Sequence, residues 1–456
     1  MPPRALVHIE QIVHDYLVKE MCDGRPPKGK FDLFPVEGGT AAMCYIFDSL
    51  MQNGLLKQGD TIALFLPTFT PYIEIAHLER FQFKIVAINA SSLRADGTHD
   101  WHYPATEIAK LENPKIKLAV TVNPSNPPSV AFSPVEMKQI VRLIRKNPDL
   151  VLVTDDVYGT FVPNFRSLMA EVPHNTICVY SFSKNFGCTG WRLGVIAIHE
   201  KNTMDRRIAE LPASWKQRLN KRYGAMTMEP EKLKFIDRMV ADSRNVALNH
   251  TAGLSLPQQV QMGFFALSHL LDLKDAYKHL TMEIVRARRD ALWSGLGIPL
   301  PPEDPMRGWY YVELDFMVWA KIMYGDAFCK YMTTNYEPVD FLFRLAEKSG
   351  VVLMDGGGFG GPPWSIRISL ANLDDADYAK IGKYMVECAT EYVEAWKASE
   401  LVRSGPTAGK GQTVRAGAAK RVAKKAAKKV AKTAVKKAVK QADTAAKSAK
   451  KATARK

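Results

Sequence analysis

Apolar residues recur along this chain in two patterns, a spacing of about 3.6 residues and short unbroken runs, and each predicts a different element. Ile9, Ile12, Val13, Tyr16 and Leu17 share one face of a helix predicted over residues 8–21, and Met43 to Leu50 repeats that spacing. Short apolar runs flanked by turn-forming or polar residues predict strands at Thr61–Leu66, Phe81–Asn89, Leu118–Val122, Leu150–Thr154 and Ile177–Tyr180. A helix over Val135–Arg145 separates the third run from the fourth. Residues 195–300 are expected to be mainly helical, broken at Pro257, with solvated charged faces such as Glu283 to Asp290. Further on, Trp309–Phe316 predicts a strand, Phe341–Lys348 a helix, and Ser365–Leu370 a strand after the glycine run of residues 356–361.

Polar residues stand out where the runs end. Lys184 follows the Ile177–Tyr180 run among hydroxyls and glycines, in Ser181-Phe-Ser-Lys184-Asn-Phe-Gly-Cys-Thr-Gly190-Trp-Arg192-Leu-Gly194. Burial of a lysine favours the neutral amine, which can attack a carbonyl to form a Schiff base. Taken alone, a glycine turn with a solvated Lys/Arg pair would account for the same residues. Gly38 and Gly39 ahead of a helix leave N–H groups open to an anion and Thr40 adds a hydroxyl, although such a trio more often only caps a helix. Phe69, just past a strand end, could stack on a flat ring or fill the core. The turn from Asn123 to Ser129 carries two asparagines, Asn123 and Asn126, which could serve a ligand or the turn's own backbone. Asp155 closes an apolar run with Tyr158 three residues on, where doubly wound sheets present ligand-binding groups. A carboxylate there suits a protonated ring nitrogen, and Asp156 is left as a helix-capping or solvent-facing acid. Arg367 alternates with apolar neighbours, and its fork suits either a substrate carboxylate or an acid on a neighbouring strand.

Composition narrows the class. The 456 residues, 46% of them hydrophobic, are enough for two domains with real cores. No apolar run of about 18 residues argues for a membrane span, and the N-terminus lacks a signal peptide's apolar stretch. The six cysteines show no metal or CxxC spacing and are expected to be reduced thiols of a cytoplasmic protein. The net charge of +15 divides unevenly: residues 403–456 hold 18 Lys and Arg against the single acid Asp443, and the remainder holds 44 basic and 46 acidic residues. This Lys/Ala-rich segment resembles linker-histone tails, and it is expected to be disordered and to bind nucleic acid or other polyanions without reading sequence. An incidental solubilising extension is the alternative.

Ser181, Lys184, Gly190, Arg192 and Gly194 stand at the spacing of the cofactor-lysine signature of pyridoxal-phosphate aminotransferases of the aspartate aminotransferase fold, which the chain resembles over roughly residues 5–398. The resemblance implies a fold-type-I α/β architecture: an N-terminal segment (1–30), a large domain with a mostly parallel sheet flanked by helices (31–295), a smaller α+β domain (296–400) and the basic tail (401–456). It implies pyridoxal 5'-phosphate carried by Lys184, with Gly38, Gly39, Thr40, Ser181 and Arg192 at its phosphate, Phe69 on its ring, Asn126 and Tyr158 at its oxygen and Asp155 at its nitrogen. Arg367, with Asn126, is implied to bind the substrate carboxylate, and no metal is implied. The Asp-x-x-Tyr spacing selects Asp155, whereas Pro128-Ser129 stands where the family has Thr-Gly and leaves Asn123 open beside Asn126.

Residues 36–51, 69–75 and 366–373 look like aspartate 4-decarboxylases, which convert L-aspartate to L-alanine and carbon dioxide and retain aspartate transamination with a 2-oxo acid. The resemblance implies that aspartate displaces Lys184 from the cofactor, that the freed lysine moves the α-proton, and that the β-carboxylate then leaves. The alternatives are an aminotransferase that does not decarboxylate, and a polyanion-binding protein built on a degenerate enzyme body. The decarboxylases carry a longer N-terminal region than the 37 residues ahead of Gly38. Residues 1–30 are therefore expected to be a truncated segment joining the smaller domain, without the family's intersubunit tyrosine or distal-carboxylate arginine. Sites of this fold are shared between subunits, so a homo-oligomer is expected.

Overall fold

The computed structural model describes residues 4–246 and 253–404, apart from the side chains of 245–246 and 402–404. The tail expectation thus lies outside the described residues from 405 onward. Seven strands form one sheet: β1 (Phe31–Val36), β2 (Thr61–Leu66), β3 (Lys84–Asn89), β4 (Ile116–Val122), β5 (Val151–Asp155), β6 (Thr176–Ser181) and β7 (Gly194–His199), in the order β1-β7-β6-β5-β4-β2-β3. The five strands from β6 to β3 are parallel to their neighbours, and β7 lies antiparallel between β6 and β1. β1 therefore runs the same way as β6, and their carboxyl ends share one edge.

Strand alternation distributes the apolar side chains. Ile62, Leu64, Val151, Val153, Ile177 and Val179 enter one core with Ala42, Ile46 and Leu50 of the helix Gly39–Gln52. Their neighbours Ala63, Phe65 and Leu152 enter a second core, and Cys178, Tyr180 and Val195 a third. Burial on both faces explains why these strands read as unbroken apolar runs. A second sheet, ordered β8-β10-β9 and antiparallel, is made of β8 (Tyr311–Asp315), β9 (Met354–Asp355) and β10 (Ser365–Ser369).

Several expectations are corrected. Residues 195–199, placed in a helical region, belong to β7, because an apolar run with β-branched residues flanked by two strands is satisfied by pairing on both sides. Pro257 does not break a helix. It lies in the first turn of Leu256–Leu271 under a Ser255/Gln258 capping box, where its missing N–H costs no hydrogen bond. β1 went unrecognised because Pro35 interrupts it, which an edge strand tolerates. Phe81 and Phe83 precede β3, and Phe316 opens a helix after β8. The helix Val7–Met21 packs on the large sheet, with Tyr16 Oη 2.6 Å from Tyr180 Oη. The helix Asp375–Ser404 ends the described chain, and its residues from Lys397 on belong to a separate unit.

Gly194 marks a point of close approach. A Cβ built there would stand 2.7 Å from the Gly38 Cα, too near for the loop after β1 to stay in place. Gly190, four residues away, has nothing within 4 Å of its Cβ position. Gly194→Ala is expected to lower unfolding stability by about 1–3 kcal/mol, and Gly190→Ala to change it by less than about 0.5 kcal/mol. Denaturant unfolding of the two variants checks the contrast.

Candidate active site

Sheet topology brings the predicted residues to one edge. Val36 of β1 pairs with Gly194 of β7, which pairs with Ser181 of β6, so the chain segments leaving these strands meet. Asp155 at the end of β5 pairs with Val122 of β4 and Val179 of β6. Phe69 follows β2, and Arg367 comes from β10 of the second sheet. Between them lies a cavity of about 260 Å³ lined by Gly39, Thr40, Phe69, Asn126, Asp155, Tyr158, Ser181, Lys184, Arg192 and Arg367, joined by Tyr72, Ser183, Thr189 and Tyr311.

One end of the cavity is built for an anion. Gly38, at φ 86°, is the N-cap of the 14-residue helix Gly39–Gln52 and supplies no side-chain cap, so first-turn N–H groups are free of side-chain partners. Only glycine fits: a Cβ at this position would collide with the Arg192 guanidinium. Arg192 itself has a left-handed φ of 58°. Its Nη1 donates to the Thr189 carbonyl at 2.8 Å and its Nη2 to the Glu37 carbonyl at 3.2 Å; among the described residues it makes no ion pair. The Ser181 hydroxyl lies 2.8 Å from Ser183 Oγ and 3.1 Å from the Leu193 carbonyl. A guanidinium and a helix N-terminus that face each other without a carboxylate favour an incoming anion.

Elsewhere the site holds a buried acid. Asp155 is buried, and burial pushes its carboxyl up to about 6 against the opposing pull of its hydrogen bond from Tyr72. The Tyr72 hydroxyl donates to Asp155 Oδ2, and the Val157 N–H donates to Oδ1 at 3.3 Å. Asp156 is buried rather than solvent-facing, and it reaches a helix end only through Ser167, the N-cap of the helix Leu168–Glu171, which corrects the sequence expectation. Its carboxylate accepts hydrogen bonds from Thr154, Ser167 and Cys178, and burial raises it to about 7. Adjacent residues on a strand point to opposite faces, so Asp155 alone reaches the cavity.

Asn126 joins two functional side chains. Its Nδ2 is 3.5 Å from Tyr158 Oη, and its Oδ1 is 3.5 Å from Arg367 Nη1. Asn123 lies outside the cavity lining, and its Oδ1 accepts the Phe132 N–H at 2.9 Å. Lys184 Nζ lies 3.4 Å from Tyr311 Oη. The Arg367 guanidinium lies 4.4 Å from the Tyr311 ring centroid and 4.6 Å from that of Phe359, and among the described residues it makes no ion pair. Ser129, one of the two departures in the turn, adopts φ 59°. Its hydroxyl accepts the Tyr311 N–H at 2.9 Å and its carbonyl the Gly308 N–H at 2.7 Å, so a serine strained where glycine would be free ties the turn to β8.

Tyr72, Ser183, Thr189 and Tyr311 were not singled out in the sequence. Tyr72 lies three residues beyond Phe69, on the helix Thr70–His77, and is 83 residues from Asp155, a distance no local pattern bridges. Tyr311 carries a strand signal but no sign of which cavity it lines.

Comparison with known proteins follows the same lines. The family model "Aminotransferase class I and II" matches residues 36–383. The chain is 48% identical over 399 residues to a Pseudomonas sp protein named bifunctional aspartate aminotransferase and L-aspartate beta-decarboxylase, spanning 87% of this chain and 74% of that one. It is 26% identical over 163 residues to an aspartate aminotransferase of Sulfurisphaera tokodaii, 35% of this chain and 39% of that one. Among solved structures, Thermus thermophilus aspartate aminotransferase with maleate superposes at a TM-score of 0.59 with 17% identity, covering 85% of this chain and 83% of that one. An aromatic aminotransferase from Pyrococcus horikoshii does so at 0.59 with 19% identity and 87% of each chain, and both share the fold.

Tyr72 gives the site a pH signature. Because the folded Asp155 carboxyl is raised above the ordinary aspartate value of 3.8, its contribution to stability is fully present below about pH 4 and is lost as pH rises through about 6. Tyr72→Phe removes a donor to the ionised form and raises the carboxyl further. The variant is expected to be close to the parent at pH 5 and about 1–3 kcal/mol less stable at pH 8, as read by denaturant unfolding at both values; an equal loss at both would contradict the assignment.

Proposed function

The chain belongs to the class I and II aminotransferase family, and from that premise we propose that it is an aspartate 4-decarboxylase, converting L-aspartate to L-alanine and carbon dioxide, with aspartate transamination to a 2-oxo acid as a companion activity. The observation that carries the choice of reaction is the identity of nearly half across most of the chain to the Pseudomonas bifunctional protein. The family works through pyridoxal 5'-phosphate, and the residues present fit that group. Gly38 keeps open a cradle that any side chain would fill against Arg192, hydroxyls of Thr40, Ser181, Ser183 and Thr189 surround it, and Asp155 supplies a buried acid in the same cavity.

When bound, the cofactor supplies a carbonyl for the substrate amine and a cationic ring that draws electrons from the bond being broken. Gly38, Gly39, Thr40, Ser181 and Arg192 would hold its phosphate, and Phe69 would lie at its ring. Asn126 and Tyr158 would hydrogen-bond its oxygen, and the Asp155 carboxylate would keep a proton on its nitrogen. Lys184 would be the point of attachment, and its free amine would serve as the base that takes and returns the substrate's α-proton. The Tyr311 hydroxyl, 3.4 Å from Nζ, gives that amine a hydrogen-bond partner. Arg367 binds the α-carboxylate with a guanidinium oriented by the Tyr311 and Phe359 rings.

The seven-stranded sheet and its helices constitute the large domain of residues 31–295, and the three-stranded sheet the smaller one of 296–400, within a homo-oligomer. Phe264, Leu267 and Leu271 stay exposed on the helix Leu256–Leu271, which supports a further subunit there. No described helix is long and apolar enough to cross a membrane, and all six cysteines are free, in keeping with a cytoplasmic enzyme. Residues 403–456, with 18 Lys and Arg against one Asp, bind nucleic acid or another polyanion.

Two measurements test these readings. Supplied with L-aspartate and the cofactor but no stoichiometric 2-oxo acid, the chain is expected to release alanine and carbon dioxide in equal amounts. Turnover that requires a 2-oxo acid and yields no carbon dioxide would show transamination alone. Lys184→Ala is expected to lower turnover by about a thousandfold or more and to abolish the protein's near-visible absorbance. Separately, DNA retardation by the full chain should weaken as salt rises and vanish on deletion of residues 403–456; retardation that survives the deletion would remove the tail's role.

A further inference from the structure

A second cavity, of about 150 Å³, opens among the loop carrying Arg94 and His99, the segment Ile298–Pro302, β8 and the helix Phe316–Tyr324. It shares no lining residue with the Lys184 cavity. The indoles of Trp101, Trp293 and Trp319, each at least nine-tenths buried, form its apolar walls. A cleft of this size is large enough for a benzene-sized body.

Its polar side is an arginine pair. Arg307 is 4% exposed and lies 3.9 Å from the Trp309 ring centroid. Among the described residues its guanidinium makes no hydrogen bond and no ion pair, and its Nε is buried without a partner. Arg94 also lines the cavity, with one nitrogen given to the His99 carbonyl. Four acids stand nearby, and Asp96, which also lines the cavity, accepts from the Thr98 N–H and hydroxyl. Asp304 pairs with His102 at 2.9 Å, Asp315 pairs with His99 at 3.1 Å, and Glu313 Oε1 accepts the Ser365 hydroxyl at 2.9 Å. Burial lifts the Glu313 carboxyl to about 8, so near neutrality it is mostly uncharged. Burial, then the charge of Arg94, pulls Arg307 down to about 9, which still leaves it a cation at pH 7. A buried guanidinium without a counter-ion is strongly unfavourable, and a carboxylate delivered by a ligand would relieve it.

We propose that this cavity is a second ligand site that binds a small organic carboxylate with a compact apolar body, the carboxylate held by Arg307 and Arg94 and the body packed among the three indoles. The occupant sits beside Glu313, two residues along β8 from Tyr311, which lines the Lys184 cavity.

Benzoate is a suitable probe, added to the cofactor-loaded full chain and followed by quenching of tryptophan emission and by calorimetry. One saturable site per chain is expected to persist in Arg367→Ala, which separates it from the carboxylate arginine of the Lys184 cavity. Benzamide, of the same shape without the charge, should bind at least about tenfold more weakly, and Arg307→Gln should weaken benzoate by a similar factor. Because Arg307 is buried and its replacement can disturb folding, the partly exposed Arg94→Gln serves as the second variant, with the same weakening expected. The proposal is overturned by an absence of saturable binding, by equal affinity for benzoate and benzamide, by Arg94→Gln leaving affinity unchanged, or by binding that disappears in Arg367→Ala.

Discussion

The contact on which the Lys184 cavity depends is the meeting of two glycines, Gly38 leaving β1 and Gly194 entering β7. Neither position has room for a Cβ, one because of Arg192 and the other because of Gly38 itself. That closeness lets the loop after β1 lie against β7, and so sets the N-terminus of the helix Gly39–Gln52 opposite the Arg192 guanidinium. Loosening the contact would move the helix end and the arginine apart, and the combined attraction for an anion falls off within about a helical turn.

The molecule treats its buried charges in two ways. Glu20, Asp156 and Asp242 are enclosed by donors or cations of the chain itself, which is how a structural acid is accommodated. Buried Arg307 and half-buried Arg192 and Arg367 are left without a carboxylate among the described residues, resting on carbonyls or aromatic rings. An arginine kept that way holds binding capacity in reserve, since the missing counter-charge is the most favourable thing a ligand can bring. Asp155 is intermediate, with a tyrosine donor but no cation at ion-pair distance among the described residues.

Where the chain's own chemistry is local, the sequence showed it. Lys184 and Asp155 stand beside strand ends that apolar runs mark clearly, Gly38 and Arg192 belong to short local motifs, and the cavity gathers the three side chains with the helix that Gly38 caps. Legibility failed where the determining partner is remote. Tyr72 gives no sign of Asp155, and β7 resembles any apolar run until β6 and β1 flank it. Asp155 ends β5 and Asp156 is the next residue, turned the other way, and a strand buried on both sides hides that difference. Ser129 was visible as a departure from the family's glycine. What it does with the hydroxyl, accepting the Tyr311 N–H, could be seen only once β8 was in place.

The antiparallel position of β7 also has a temporal consequence. Val36 pairs with Gly194, roughly 160 residues further along the chain, so at synthesis rates of 5–20 residues per second β1 waits on the order of ten to thirty seconds for its only partner strand among the described residues. The strands β2 to β6 all emerge within that interval. The anion end of the cavity is therefore sealed only after the middle of the sheet has had time to pair, and a nascent chain shorter than about 200 residues cannot yet bring Gly38 to Arg192.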